Sequence, residues 1–324
     1  MATSPHSAQE VRFCNLPRFL ALILIAGCLL IFAAPGQSPA NITSDTQEPP
    51  TPAPAAFQNL IPGDQLAFLN DLAGRPAKEA MKDKRFSKLL KLVFPHSEYH
   101  YGRDMPLSDA SDDVLAGSKL PVAVRDGRYA MVSVKQGPYL DGMGFLWFDI
   151  QTGIALGGVY FHPTNSEPSP NLAIFSRQLQ DHSPGLSQLP LAFALDLSRW
   201  VATSDARWVS PGYFIPENGK KYVLLHDEDY CDHPPNAPAP PQDTCMQLNA
   251  EAADADLNAA YFMEQTHNAA AWMMLPEQAS WIGVRDRSCG LGPGTLPCRI
   301  RITRQRTRVV LRQQGPGLKT GSKS

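Results

Sequence analysis

The chain has 324 residues, of which 43% are hydrophobic and 19% charged, as in an ordinary globular protein with a buried core. Its length leaves room for two domains, since one domain usually takes about 100–200 residues. The formal net charge is only −2, which excludes the strongly basic class of nucleic-acid-binding proteins. Nucleic acid is therefore not an expected partner.

The N-terminus carries an uncharged apolar run at residues 19–34, preceded by Arg12 and Arg18. As a helix this run would rise about 24 Å, less than the roughly 30 Å of a bilayer core, so residues 1–40 are predicted to be a signal peptide or membrane anchor. A lipoprotein is the third alternative, because residues 25–28 resemble a lipoprotein box in which Cys28 would be acylated. All three predict export to the periplasm or cell envelope, with membrane contact only through this segment.

Three stretches have the composition of unstructured chain. Residues 41–56 are rich in proline, lack hydrophobic periodicity and are predicted to be a disordered tether. A second proline-rich stretch, residues 234–241, interrupts the chain and marks a domain boundary or a long loop. Residues 313–324 are rich in Gly, Lys and Ser and are predicted to be a disordered tail.

Residues 57–228 are predicted to form an α+β domain around a mainly antiparallel sheet with flanking helices. An amphipathic pattern predicts a helix at residues 78–94, which stops at Pro95. Asn218-Gly219 is a strong hairpin signal. Short apolar runs between turn residues predict strands at residues 120–124, 128–134, 144–150, 154–161, 172–175, 213–215 and 222–225, and a helix at residues 189–201.

Residues 229–312 are predicted to form a small all-helical domain stapled by disulfides. The first helix would be capped by Asp243 or Thr244 and run to about residue 268; a second would begin after Pro276 and a third at about Pro297. An even number of cysteines confined to one region of an exported chain predicts two disulfides, and three pairings are open. The spacings of 13, 43 and 8 residues lack the close pairs of a structural zinc site. These cysteines are Cys231, Cys245, Cys289 and Cys298.

The chain lacks the common catalytic motifs. It has no G-x-S-x-G elbow, no phosphate-binding glycine loop and no H-E-x-x-H pair. We therefore expect no enzymatic activity, no cofactor and no metal. A hydrolase whose acid and base converge from distant parts of the chain is the remaining enzymatic alternative.

Three polar clusters have an ordinary surface interpretation. His96 and His100 are expected to be surface histidines, although they are four residues apart. Residues 226–233 contain the densest set of potential metal ligands, but they follow a strand and enter a proline-rich loop, so they are expected to be a solvated connector. An arginine run is expected to be the solvated face of the last helix, because no aromatic residues interleave with it. It comprises Arg299, Arg301, Arg304, Arg306, Arg308 and Arg312.

Residues 229–312 carry two motifs and a fourth cysteine in a specific order. Residues 254–261 read D-x-D-L-N-x-x-Y, residues 278–289 read Q-x-x-W-I-x-x-R-D-x-x-C, and Cys298 follows. This quarter of the chain resembles the LprI-type bacterial lysozyme inhibitors, which implies a small exported helical domain stapled by cysteines. The proline-rich insertion between the first two cysteines departs from that pattern.

The residues of those motifs are predicted to have structural roles. Side chains expected in the core are Leu257, Tyr261, Trp281 and Ile282. Arg285 and Asp286 are expected to form a local ion pair near helix ends.

The middle of the chain resembles, more distantly, the Ivy-type inhibitors of vertebrate lysozyme. The similarity lies in the helix that ends at Pro95 and in the segments 127–133 and 144–149. The family's inhibitory loop carries a His between two cysteines, and the corresponding loop here, residues 136–143, lacks both. If this loop still binds a partner, the candidates are Pro138, Tyr139 and Asp141, which offer an aromatic anchor and a carboxylate. An ordinary turn is the alternative.

Together these observations predict an exported binding protein that inhibits or sequesters a lysozyme or a related muramidase. Such a protein needs a preorganised surface but no catalytic groups. The alternative is an envelope adaptor that binds peptidoglycan or a partner protein without inhibiting anything.

Overall fold

The computed structural model of the protein describes residues 56–135, 142–179, 185–232, 241–267 and 274–313. Its centre is a seven-stranded sheet in which the strands follow chain order from one edge to the other. Every neighbouring pair is antiparallel except β7 and β8, which are parallel. The strands are β3 (Ala123–Arg125), β4 (Tyr129–Val134), β5 (Met143–Asp149), β6 (Ile154–Phe161), β7 (Asn171–Phe175), β8 (Gly212–Ile215) and β9 (Tyr222–Val223), and a separate hairpin pairs β1 (Glu98–His100) with β2 (Asp104–Pro106).

Helices cover both faces of the sheet, so its central strands are buried throughout. All seven residues of β5 and all eight of β6 are buried. Leu146 and Phe148 face one apolar core, whereas Phe145 and Trp147 face the other. A strand buried on both faces reads as a continuous apolar run, which is why period-2 alternation is weak in the sequence.

The first face packs against the N-terminal helices α1 (Gly63–Leu66), α2 (Ala77–Ala80), α3 (Lys84–Val93) and α4 (Leu107–Ala116). The single helix predicted at residues 78–94 is broken between α2 and α3. Asp83 caps α3, since its carboxylate accepts a hydrogen bond from the backbone N–H of Arg85 at 2.8 Å. An aspartate inside an amphipathic pattern has thus started a new helix.

The second face packs against α5 (Leu191–Ala202). Phe193 and Trp200 of this helix contact the rings of Phe145 and Trp147. The indole N–H of Trp147 donates to the carboxylate of Asp196 at 2.9 Å. This buried indole therefore has the polar partner that it needs.

Three helices follow the sheet: α6 (Gln242–His267), α7 (Met274–Cys289) and α8 (Leu296–Gln313). Leu257 of α6 and Val310 of α8 share an apolar cluster with Tyr213 of β8 and Val223 of β9, so the helices pack against that edge of the sheet. The predicted α+β class, with a helical region after the sheet, is confirmed. The proposed boundary at residues 228 and 229 stays a prediction.

The first of these helices begins earlier than the sequence indicated. Neither Asp243 nor Thr244 is its cap, because α6 starts at Gln242. The backbone N–H groups of Thr244 and Cys245 donate to the carbonyl of Pro241. Across the part of the chain that the structure describes, no helix is long and apolar enough to cross a bilayer.

Candidate functional site

Two local disulfides brace the C-terminal helices. Cys231 pairs with Cys245 in the first turns of α6, and Cys289 at the end of α7 pairs with Cys298 near the start of α8. The prediction of two disulfides is confirmed, and the structure selects one of the three possible pairings. Each bond closes a short loop, so each restrains one end of a helix.

Arg285 joins all three helices. It is 6% exposed, and its guanidinium donates to the carboxylates of Asp254 on α6 and Asp286 on α7, each at 2.9 Å. A third bond, at 3.2 Å, reaches the hydroxyl of Thr303 on α8. The guanidinium also lies 5.5 Å from the centre of the Trp281 ring. The expected pair of Arg285 with Asp286 is present, and the pair with Asp254 extends it across helices.

A second polar contact lies further along the same helices. The guanidinium of Arg306 on α8 donates to the hydroxyl of Tyr261 on α6 at 2.9 Å and to the carboxylate of Glu277 on α7. Burial raises the pKa of Tyr261, and this outweighs the opposing effect of Arg306. The phenol therefore stays protonated at neutral pH and fixes the spacing of α6 and α8.

A buried histidine ties the segment after β9 to α6. Nδ1 of His226 lies 2.7 Å from a carboxylate oxygen of Asp256, and the backbone N–H of His226 donates to the same carboxylate. Burial lowers the pKa of His226, but the hydrogen bond and charge of Asp256 raise it more, so the net shift is upward. The pair therefore favours a protonated imidazole against a carboxylate.

Two of these side chains, Asp254 and Tyr261, line a cleft of about 780 Å³ between α6 and the loops beside β7 and β8. The sheet contributes Trp208, which is 47% exposed, and the neighbouring Arg207. The helices contribute two carboxylates, several amides and two aromatic rings. They are Glu251, Asp254, Asn258, Tyr261, Phe262, Gln265 and Gln278.

Two polar side chains of this cleft are exposed to solvent, although Glu251 already accepts a hydrogen bond from the amide of Gln247 at 3.1 Å. Glu251 and Asn258 are exposed on α6, one turn above and below Asp254. The side-chain oxygen of Gln278 is buried and has no hydrogen-bond partner among the described residues. An unsatisfied buried amide oxygen costs about 1–3 kcal/mol.

Residues 234–309 match the family model described as Lysozyme inhibitor LprI. The matched segment, hereafter the LprI region, holds both motifs and three of the four paired cysteines. No curated protein and no solved structure matches the chain significantly. The expected similarity of the middle of the chain to Ivy-type inhibitors is not confirmed.

Most motif residues of the LprI region have the structural roles that the sequence predicted. Leu257 and Tyr261 are buried in the core, and Trp281 is partly buried beside it. Ile282 is an exception, because it is 39% exposed. It lies on the solvent-exposed face of α7, whereas Arg285 lies on the buried face of the same helix.

Four motif residues of the LprI region line the cleft. Sequence reasoning assigned the motif to architecture alone and missed this shared surface. Trp208 was missed as well, because it lies outside the motif and reaches the cleft only through the sheet topology. The four are Asp254, Asn258, Tyr261 and Gln278.

The loop candidates and the acylation candidate, which are Cys28, Pro138, Tyr139 and Asp141, lie outside the described residues. The strands that flank the loop are paired, with Val134 opposite Gly144. The expectation for this loop stays a prediction.

The prediction of a solvated connector at residues 226–233 is wrong at its first residue, because His226 is buried against Asp256.

The two histidines that were expected at the surface differ in exposure. His96 is exposed, whereas His100 is partly buried and its Nδ1 lies 2.8 Å from a carboxylate oxygen of Asp104. Among described residues, no three His, Cys, Asp or Glu side chains converge as metal ligands.

The arginines of the last helix differ in exposure. Arg301, Arg308 and Arg312 are exposed as expected. The remaining members are partly buried, and each contacts a neighbouring segment because α8 packs against α6 and α7. They are Arg299 beside Asp286, Arg304 beside the carbonyl of Glu228, and Arg306 beside Tyr261.

Proposed function

We propose that this protein is an exported binder that inhibits or sequesters a lysozyme-like peptidoglycan hydrolase. The observation that carries the proposal is the convergence of Asp254, Asn258, Tyr261 and Gln278, all within the LprI region, on one cleft. The family's description is that of an inhibitor, which agrees with the expectation that the chain is not an enzyme.

The chemistry of the cleft suits a protruding segment of a protein partner that brings a cation to Glu251. The carboxylate of Glu251 is exposed, whereas that of Asp254 is already paired with Arg285, and the opposite wall carries the guanidinium of Arg207. Complementary charge speeds the encounter of two proteins and fixes their orientation. Trp208 provides exposed aromatic area of the kind that often contributes most to the binding energy of an interface.

The cleft is also held in shape before any partner arrives. The two disulfides restrain the ends of the helices, and Arg285 bonds all three of them. A preorganised surface loses less conformational entropy on binding. Affinity from a modest contact area is then feasible.

An inhibition assay tests the proposal. Purified residues 41–324 are added to a peptidoglycan suspension with lysozymes of several classes, and lysis is followed by turbidity. We expect at least one class to be inhibited. Trp208→Ala and Glu251→Lys should each raise the half-inhibitory concentration by at least about tenfold, since a contact worth 1.4 kcal/mol changes affinity by that factor.

Glu79→Lys is the matched control, because Glu79 is exposed on α2 and does not line the cleft. It makes the same change in net charge as Glu251→Lys and should leave inhibition unchanged. Equal loss in both charge variants would indicate a long-range charge effect. Full lysis by every lysozyme class in the presence of wild-type protein would refute inhibition.

A second candidate function is an adaptor that binds peptidoglycan directly. The observation that favours it is the exposed ring of Trp208 near the amides of Asn258 and Gln265, since rings and amides together suit a sugar chain. A pull-down on insoluble peptidoglycan without lysozyme separates the two functions. Retention that Trp208→Ala abolishes would support the adaptor.

Export is part of the proposal and rests on residues 1–40. Cell fractionation is the test, with the protein expected in the envelope or periplasm. Mass spectrometry of the mature N-terminus distinguishes a cleaved signal, an uncleaved anchor and an acylated Cys28.

A further inference from the structure

The last helix carries a concentration of positive charge. The chain has a formal net charge of −2, yet residues 296–324 contain eight basic side chains and no acidic one. Six of these basic residues are the arginines of α8. Like charges four residues apart on a helix repel each other, as Arg308 does with Arg304 and with Arg312. The helix therefore gains from a source of negative charge that its own sequence does not provide.

The arginines of α8 fall into an inner and an outer set. The inner set contacts neighbouring segments, as Arg306 does when it pairs with Glu277 of α7. The outer set is exposed, and none of its guanidinium groups has an ion pair or a hydrogen bond with a described residue. The outer arginines are Arg301, Arg308 and Arg312. Packing of α8 on its neighbours accounts for the inner set and leaves the outer arginines without a structural role.

The outer arginines form one row along the helix. Arg308 follows Arg301 by seven residues and Arg312 follows by four more, which are about two turns and about one turn. At about 1.5 Å per residue the row is about 16 Å long. A small anion would contact only part of this row, whereas an extended anionic surface contacts all of it. Val309, which is 38% exposed, and the partly buried Ile302 flank the row and offer the apolar contact that interfacial helices make with a membrane.

We propose that the outer face of α8 docks on a membrane surface that contains anionic phospholipids. The helix lies parallel to the surface, the outer arginines contact the lipid phosphates, and Val309 packs at the boundary between head groups and acyl chains. A nucleic acid is the less favoured polyanion, because no aromatic side chain interleaves with these arginines. The docking face is distinct from the cleft, since α8 contributes no side chain to the cleft, and it does not depend on the proposed function. It adds a membrane contact to the one expected from the N-terminal segment.

Vesicle sedimentation tests the proposal. Purified residues 41–324 retain every described residue and lack the apolar run at residues 19–34, so binding through that run is removed. Vesicles of phosphatidylcholine alone are compared with vesicles of phosphatidylcholine and phosphatidylglycerol in equal amounts. We expect a partition coefficient at least about tenfold higher for the anionic vesicles, and a decrease as salt is added, because salt screens exposed charges. Equal partition into both kinds of vesicle, or no binding to the anionic ones, overturns the proposal.

A triple variant locates the contact. Arg301→Gln/Arg308→Gln/Arg312→Gln should lower the partition coefficient for anionic vesicles by at least about tenfold, since each basic side chain near an anionic surface contributes roughly a factor of five. These side chains are exposed and unpaired, so the variant should keep the circular dichroism spectrum of the wild type. Val309→Ser should weaken binding without any change in charge. Wild-type partition of the triple variant would overturn the proposal.

The matched control removes the same charge from another basic helix. Lys84→Gln/Lys88→Gln/Lys91→Gln neutralises three exposed lysines on α3, where Asp83 already pairs with the neighbouring Arg85. This variant should leave the partition coefficient nearly unchanged. An equal loss in both triple variants would indicate attraction by net charge alone, and a loss only in the α3 variant would place the contact on α3. Either result overturns the proposal.

Discussion

The guanidinium of Arg285 lies 2.9 Å from the carboxylate of Asp254, although the two residues are 31 positions apart. One residue belongs to each motif of the LprI region, so the contact joins the two motifs in space. Asp254 also lines the cleft, with its side chain 47% exposed. The same pair therefore fixes the packing of α6 on α7 and positions one wall of the proposed binding surface.

Arg285→Ala should lower the free energy of unfolding by about 2–4 kcal/mol, because it removes hydrogen bonds to Asp254, Asp286 and Thr303 from a buried site. Urea denaturation with the disulfides intact measures the change. Arg287→Ala is the control, since Arg287 is exposed on the same helix, and it should change stability by no more than about 0.5 kcal/mol. Equal effects in both variants would contradict the role assigned to Arg285.

The contribution of His226 to stability should depend on pH. Its pKa in the folded protein lies above the ordinary 6.5, so the folded state binds this proton more tightly than the unfolded state does. The stabilisation is therefore fully present below about pH 6 and is lost as pH rises through the folded pKa. The free energies of unfolding of wild type and His226→Gln should differ most at pH 5 and converge towards pH 9.

His96→Gln is the control for replacing an imidazole, because His96 is exposed. A gap between wild type and His226→Gln that widens as pH rises would contradict the protonated His226–Asp256 pair. A parallel series with Asp256→Asn should remove most of the pH dependence, since it removes the charge that holds the proton.

Gly158→Ala should destabilise the sheet by about 1–3 kcal/mol, because a Cβ at this position of β6 would lie 2.4 Å from the buried ring of Phe145. Gly117→Ala, at the end of α4, meets no atom within 4 Å and has a φ of −81°, so it should be neutral or slightly stabilising. Thermal unfolding of both variants and of wild type measures the two changes in stability. A neutral Gly158→Ala would mean that β6 and Phe145 pack less closely than described.

Peptide mapping without reduction should recover Cys231 linked to Cys245 and Cys289 linked to Cys298. The double substitution Cys289→Ala/Cys298→Ala should lower the free energy of unfolding by about 2–3 kcal/mol, as expected for a short closed loop. Recovery of a peptide that joins Cys245 to Cys289 would overturn the pairing. Free thiols at all four positions in native protein would remove the disulfide account.

The strands of the sheet were predictable from sequence because each is an apolar run that turn residues bound. Residues 154–161 were assigned to one strand, and β6 has these bounds. The helix α4 was missed, because three of its ten residues are exposed aspartates and its buried positions include Ala110 and Ser111. Small and polar residues contribute little to a hydrophobic pattern.

The last helix shows the same limit. An apolar pattern that follows Cys298, Ile302 and Val309 would put Val309 on the buried face, but Val309 is exposed. The buried face instead contains Thr303, Thr307 and Val310. Thr307 donates its hydroxyl to the carbonyl of Thr303 at 3.1 Å, so a polar residue is accommodated inside the helix packing. A pattern of apolar residues alone does not reveal such a face.

The candidate cleft could not be predicted from spacing. Trp208 and Asn258 lie 50 positions apart in the sequence. They line the same cleft because α6 packs beside β8 and β9. The motif itself was visible in the sequence, and so was the structural role of Arg285. Which motif side chains face outward depends on helix rotation, which the weak amphipathicity of α6 does not define.

Calorimetric titration of the lysozyme that is inhibited most strongly into wild-type protein, Trp208→Ala and Glu79→Lys tests the central claim most directly. We expect one-to-one binding by wild type, the same Kd for Glu79→Lys, and a Kd at least about tenfold higher for Trp208→Ala. Identical Kd values for wild type and Trp208→Ala would show that the cleft beside the LprI region is not the binding surface. Absence of binding to every lysozyme class would contradict the account as a whole.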